Sequence, residues 1–164
     1  VEGLASDADI DAVARIFAGV EHRIELVREL RGVRYYNDSI ASSPSRTIAG
    51  LHSFDQKVIL IAGGYDKHIP FDTLGGEICA HVKTLILCGA TADKIRAAVT
   101  GAEAYAPGRP DILQADDLAQ AVQLAKDAAR PGDVVTLSPA CAAFDQFKNF
   151  MVRGARFKEL VRAL

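Results

Sequence analysis

Three short polar clusters in this 164-residue chain carry the side chains that could do chemistry, and each directly follows an apolar run. Asn37-Asp38-Ser39, with Ser42-Ser43, follows Val33-Arg34-Tyr35-Tyr36. Gly63-Gly64-Tyr65-Asp66-Lys67-His68 follows Val58-Ile59-Leu60-Ile61-Ala62. Ser138 to Asp145 follows Val134-Val135-Thr136-Leu137. Lys67, beside a Gly-Gly turn, is a candidate anion ligand, although a lysine is more often a solvated surface residue. Asp38 suits a ribose hydroxyl or a cation-bearing group, and equally a turn cap. Ser42 and Ser43 can donate to a carboxylate or cap the next helix. His68 has the chemistry of a base, but nothing in the sequence pairs it with a nucleophile. Arg23 reaches a ligand or pairs with a neighbouring glutamate. Several alternatives are absent: no GxxxxGK[ST] phosphate loop, no GxGxxG after the first parallel strand, and no GxSxG elbow. The residues alone describe an anion-friendly edge without a complete catalytic set.

The elements that must position these clusters alternate in type. A helix is expected over Ser6 to Val20, with Ser6 or Asp7 as its cap and Ile10, Val13, Ala14, Ile16 and Phe17 as its apolar stripe. His22 to Leu30 alternates as a strand, Arg31-Gly32 turns, and Val33 to Tyr36 returns, so a hairpin is expected, with Arg23 inside its first strand. Ser43-Pro44 reads as an N-cap with proline at the first helical position, opening a helix to about His52. Strands follow at Val58–Ala62, Thr84–Cys88, Asp111–Leu113 and Val134–Leu137. Helices are expected at Phe71–Ala80, Ala92–Thr100 and Asp117–Ala129, the last capped by Asp116. Phe144, Phe147 and Phe150 recur at spacings of three, which predicts a final helix from Asp145 to Leu164, broken near Gly154. Strands alternating with helices give an α/β fold, Rossmann-like, with a mostly parallel sheet, helices on both faces and an antiparallel edge hairpin. In one such sheet the three clusters share the carboxyl edge, where ligands bind.

Composition fits one domain with a full core: 49% of residues are hydrophobic and 24% charged. A net charge of −2 offers no basic footprint for nucleic acid. No apolar run has bilayer-spanning length, and the first residues lack the pattern of a secretory leader. A chain opening on Val1 is expected to be a fragment or a processed product. Cys79, Cys88 and Cys141 are odd in number and irregular in spacing, so buried thiols are expected rather than a disulfide framework. No two of the four histidines stand at a metal-ligand spacing, and no metal ligand is assigned.

With these segments in place, HRIE…YYNDSIASSP, GGYDKHIPF and LSPACAAFDQFKNFMVRG resemble the C-terminal domain of a Mur ligase, most closely the D-glutamate-adding type. The resemblance covers 22–164, and 1–21 would be a linker or the end of a preceding central domain. It implies a cytoplasmic, ATP- and magnesium-dependent ligase of peptidoglycan synthesis that joins D-glutamate to UDP-N-acetylmuramoyl-L-alanine through an acyl phosphate. ATP and Mg²⁺ would sit mainly on a central domain outside this chain, so the chain alone is expected to be inactive. A monomer is expected, with no nucleic-acid or membrane partner. By position, Lys67, Ser42, Ala143 and Phe150 match residues around D-glutamate, and Arg23 and Asp38 match residues that reach the nucleotide. The sequence departs from the family pattern at Ile40, where a lysine is frequent, and at Ala143, where a serine is frequent. Two other readings are another Mur-type ligase or folylpolyglutamate synthase relative, and a stand-alone α/β small-molecule binding module.

Overall fold

A computed structural model of the chain describes residues 19–164 and, before them, Ser6, Ala8, Asp9, Asp11 and Ala12. The helix expected over Ser6–Val20 lies for the most part outside the described residues. Among those described, six strands form one sheet in the order β1-β2-β6-β3-β4-β5. The strands are β1 (Glu25–Leu30), β2 (Val33–Asn37), β3 (Val58–Ala62), β4 (Val82–Leu87), β5 (Asp111–Gln114) and β6 (Val134–Leu137). Only the edge pair β1·β2 is antiparallel; β2·β6, β6·β3, β3·β4 and β4·β5 are parallel. The helices are α1 (Pro44–Leu51), α2 (Asp72–His81), α3 (Ala92–Thr100), α4 (Leu118–Ala128) and α5 (Phe150–Ala163).

Strand alternation divides the core in two. Val58, Leu60 and Ala62 of β3 face a cluster with Leu51 of α1, Leu74 and Ile78 of α2, and Ile95 and Val99 of α3. Ile59 and Ile61 face the other side, with Ala121 and Val122 of α4 and Phe157 and Val161 of α5. Every residue of β3 is thus buried, which explains its unbroken apolar run. The chain leaves β2 and β3 toward one face and β6 toward the other. The loop after β6 therefore emerges between two loops that turn the opposite way, which is the crevice where open α/β sheets bind ligands. No helix of the described residues is long and apolar enough to cross a membrane.

Four local expectations are corrected. Arg23 lies outside the strand: β1 begins at Glu25, because His22 and Ile24 adopt positive φ (65° and 45°) and the Ile40 amide hooks onto the His22 carbonyl. The last helix begins at Phe150, not Asp145. Gln146 and Phe147 donate back to the Ala143 carbonyl in a single turn, Asn149 is extended, and its side chain caps the Val152 amide. Gly154 does not break that helix. It is buried, and the close approach of His22 excludes a side chain: a Cβ there would lie 2.3 Å from His22 Nδ1. Likewise Asp117, rather than Asp116, caps α4, accepting from the Gln120 amide at 2.8 Å.

Candidate functional site at the carboxyl edge

The three polar clusters meet. The Asp38 amide donates to the Leu137 carbonyl (2.8 Å), Gly63 to Pro139 (2.9 Å) and Tyr65 to Ala142 (2.9 Å). These bonds hold the loops after β2 and β3 against the loop after β6. Thr91, at the start of α3, adds a fourth tie: its hydroxyl bonds both the amide and the carbonyl of Gly64 and lies 3.1 Å from Cys141 Sγ.

The fastener of the whole edge is Arg153, only 4% exposed. Its Nε donates to Ser39 Oγ (3.0 Å), Nη1 to the Ala142 carbonyl (3.1 Å), and Nη2 to the carbonyls of Ser39 (2.9 Å) and Cys141 (3.0 Å). Ser39 Oγ passes its own hydrogen to the Phe150 carbonyl. One guanidinium thus joins the loop after β2 to the loop after β6 and to the start of α5. Burial away from water pulls its pKa down to about 10, so it stays charged at neutral pH. A sequence-level reading missed this residue, because an arginine in an amphipathic helix reads as solvent-facing. Ser138, at the head of the third cluster, has a role its sequence position does not reveal. Its hydroxyl donates to Asp38 Oδ2 at 2.7 Å and lies 3.0 Å from Thr47 Oγ1.

The six residues expected at the site separate into three places. Arg23 and Asp38 line one cavity of about 300 Å³, with Ile40, Arg46, Gly50 and Ser53. Ser42 and Lys67 line a second, narrow cleft of about 10 Å³ with Tyr65, Ile69, Ala140 and Cys141. Ala143 and Phe150 line neither. Ala143 is buried and accepts the two turn hydrogen bonds, while Phe150 packs edge-on against His22 at 5.8 Å. Within the cleft, the neighbouring acid is spoken for: Asp66 pairs with Lys94, a contact that holds its carboxyl below the usual range. Lys67 is exposed and has no hydrogen bond or ion pair among the described residues, and the Ser42 hydroxyl is equally uncommitted. The cleft offers a free ammonium and a free hydroxyl in a space about the size of one water. That matches the end of a carboxylate, recognised by charge-assisted hydrogen bonds.

Asp38 is 4% exposed, and burial pushes its pKa from 3.8 up to about 6 against the pull of the Ser138 hydroxyl, the Ile24 amide and Arg23. A carboxyl whose pKa is raised in the fold binds protons more tightly there than in the unfolded chain. Between pH 4 and pH 6 the unfolded state has released the proton and the folded state has not, so this group's contribution to stability falls as pH rises. A rise from 3.8 to about 6 corresponds to roughly 3 kcal/mol. Denaturant melts of the chain and of Asp38→Asn across that window are expected to diverge, the variant gaining relative stability as pH rises. Parallel curves would contradict the assignment.

Residues 22–141 match the family model for the Mur ligase, glutamate ligase domain. The UDP-N-acetylmuramoylalanine–D-glutamate ligase of Clostridium beijerinckii is 57% identical over 152 residues, covering 93% of this chain and 33% of that protein. The enzyme of the same name from Clostridium novyi is 52% identical over 164 residues, covering 98% and 36%. This chain therefore spans about a third of the length of the curated relatives it matches. Among solved structures, the bifunctional folylpolyglutamate synthase/dihydrofolate synthase of Yersinia pestis superposes with a TM-score of 0.64 at 16% identity, covering 98% of this chain and 36% of that one. At that identity the likeness concerns the fold alone. The family model covers most of the chain and the relatives are more than half identical to it: this chain belongs to the Mur ligase, glutamate ligase domain family.

Proposed function

We propose that this chain is the amino-acid-binding part of an ATP-dependent ligase that joins D-glutamate to UDP-N-acetylmuramoyl-L-alanine. The observation that carries the reading is the pairing of an uncommitted Lys67 with an uncommitted Ser42 in a carboxylate-sized cleft at the carboxyl edge. The names of relatives at 52–57% identity supply the amino acid. Lys67 neutralises one carboxylate of the incoming amino acid, and Ser42 fixes it by a donated hydrogen bond. The cleft is too small for a whole glutamate, so the rest of the ligand is covered by the protein outside this chain. Exposed Tyr65 and Phe144, packed edge-on at 5.9 Å, give that edge an apolar rim for such a contact.

ATP fits the larger cavity only in part. Arg23 and Arg46 offer guanidinium groups and Asp38 a carboxylate, a set suited to a nucleoside and its ribose. No phosphate-binding loop is present in the sequence, so the triphosphate and Mg²⁺ belong to the remaining length. ATP activates the acceptor carboxylate as an acyl phosphate; this chain's task is to hold the attacking amine in place. Residues 1–21 would link the two parts.

In the full-length protein, Lys67→Ala is expected to lower kcat/KM for D-glutamate about tenfold to hundredfold, mostly through KM, since it removes one charged hydrogen-bond partner. The KM values for ATP and for the UDP-sugar are expected to stay near wild type. An unchanged KM for D-glutamate would overturn the assignment of Lys67. Turnover with another amino acid in preference to D-glutamate would overturn the substrate.

A further inference from the structure

The opposite rim of the sheet carries a second constellation. Helices α1 and α2 run back from the carboxyl edge, so their last turns lie near the starts of β3 and β4. His52 is the C-cap of α1, and Glu77 and His81 stand one turn apart at the end of α2. Glu77 Oε2 lies 2.6 Å from His52 Nε2 and 3.5 Å from His81 Nε2. All three ligand atoms lie within 4.8 Å of one another, and the two imidazole centroids are 4.9 Å apart. We propose that His52, Glu77 and His81 form a zinc site that clips the end of α1 to the end of α2.

Geometry, field and vacancy of charge agree. Zinc bonds imidazole nitrogen and carboxylate oxygen at about 2.0–2.2 Å, which in a tetrahedron sets neighbouring ligand atoms roughly 3.3 Å apart. The Glu77–His81 separation, 3.5 Å, is already close to that value. The Glu77–His52 pair must open by less than about 1 Å, which a side chain half exposed to solvent can do. Two imidazoles and one carboxylate leave a coordination position for water on the open side. The three residues belong to the C-terminal ends of two helices, where the negative end of each helix dipole favours a cation. Another acid–histidine group, Glu21, His22 and Glu25, shows the contrast. There the Lys158 ammonium sits 2.6 Å from Glu21 and 3.1 Å from Glu25, and Asn37 engages His22 Nδ1. No lysine or arginine pairs with Glu77 among the described residues. The site is invisible to spacing rules applied to the histidines alone, because the third ligand arrives from 25 residues away.

Zinc titration of the chain by calorimetry, with thermal melts, tests this. One zinc per chain is expected, with Tm raised by about 5–10 °C at a hundredfold excess over Kd. His52→Gln, Glu77→Gln and His81→Ala are each expected to weaken binding at least about tenfold. His68→Gln, at a side chain 86% exposed in the loop after β3 on the opposite rim of the sheet, is expected to bind zinc as wild type does. The three ligand side chains are a third to a half exposed, and their zinc-free melts show directly whether the fold is kept. Cobalt in place of zinc is expected to give tetrahedral visible absorption that His81→Ala loses. Equal zinc affinity in wild type and all three variants, meaning adventitious binding only, would overturn the proposal, as would no binding.

Discussion

Replacing Arg153 by alanine is expected to cost about 3–5 kcal/mol of stability and to lower Tm by roughly 10 °C. The side chain has no carboxylate partner among the residues it touches; its charge is spread over three buried carbonyls and one hydroxyl. Alanine leaves the carbonyls of Ser39, Cys141 and Ala142 without these donors, and each unsatisfied buried group costs about 1–3 kcal/mol unless water enters. Arg153→Lys is the informative companion. It keeps the charge but has one nitrogen where arginine has three, so it is expected to recover less than half of the loss. Because the same bonds hold the loops of Ser42 and Ala143 together, both variants are also expected to lose response to D-glutamate. Urea melts of the three proteins check the order wild type, lysine, alanine. A loss under about 1 kcal/mol for alanine would mean that the loops are held by other bonds.

Gly63→Ala is expected to be nearly as damaging, at about 3 kcal/mol or more. Gly63 has φ 114°, which disfavours a side chain by about 1–2 kcal/mol, and its Cβ would lie 1.9 Å from the Cys88 carbonyl oxygen. That oxygen belongs to backbone fixed at the end of β4, so the loop of Lys67 must move instead, adding an overpacking cost of about 1–3 kcal/mol. Gly76→Ala is the control. Gly76 lies within α2 with nothing within 4 Å of a new Cβ, and alanine there is expected to raise stability by about 0.5–1 kcal/mol. Opposite signs at two glycines in neighbouring elements would show that close approach, not composition, sets the requirement.

The path from sequence to this arrangement is uneven, and the reasons are physical. The β-branched runs at Val58–Ala62 and Val134–Leu137 announce buried strands because both faces of the sheet are covered. The polar clusters behind them announce a shared edge because parallel strands must end on one side. Patterns mislead where tertiary contact overrides local period. Phe144, Phe147 and Phe150 mimic a helix, yet Phe144 is 62% exposed, Phe147 packs into the second core cluster and Phe150 begins the helix. Gly154 mimics a break, yet it marks where α5 passes closest to His22 and Asn37. The alternation from His22 begins before the true start of β1, since positive φ at His22 and Ile24 leaves no trace in polarity. Arg153 is the least legible of all, because its acceptors at Ser39, Cys141 and Ala142 are set by loop conformation rather than residue type.

The central claim is that the cleft of Ser42 and Lys67 receives a carboxylate of D-glutamate. An amide-shift titration of the chain with D-glutamate, with L-glutamate as the control, tests it most directly. The expected result is a saturable response to the D-enantiomer at Ser42, Lys67 and the loop from Ala143 to Phe150, strongly reduced in Lys67→Ala. Equal responses to the two enantiomers, or none at these amides, would contradict the claim.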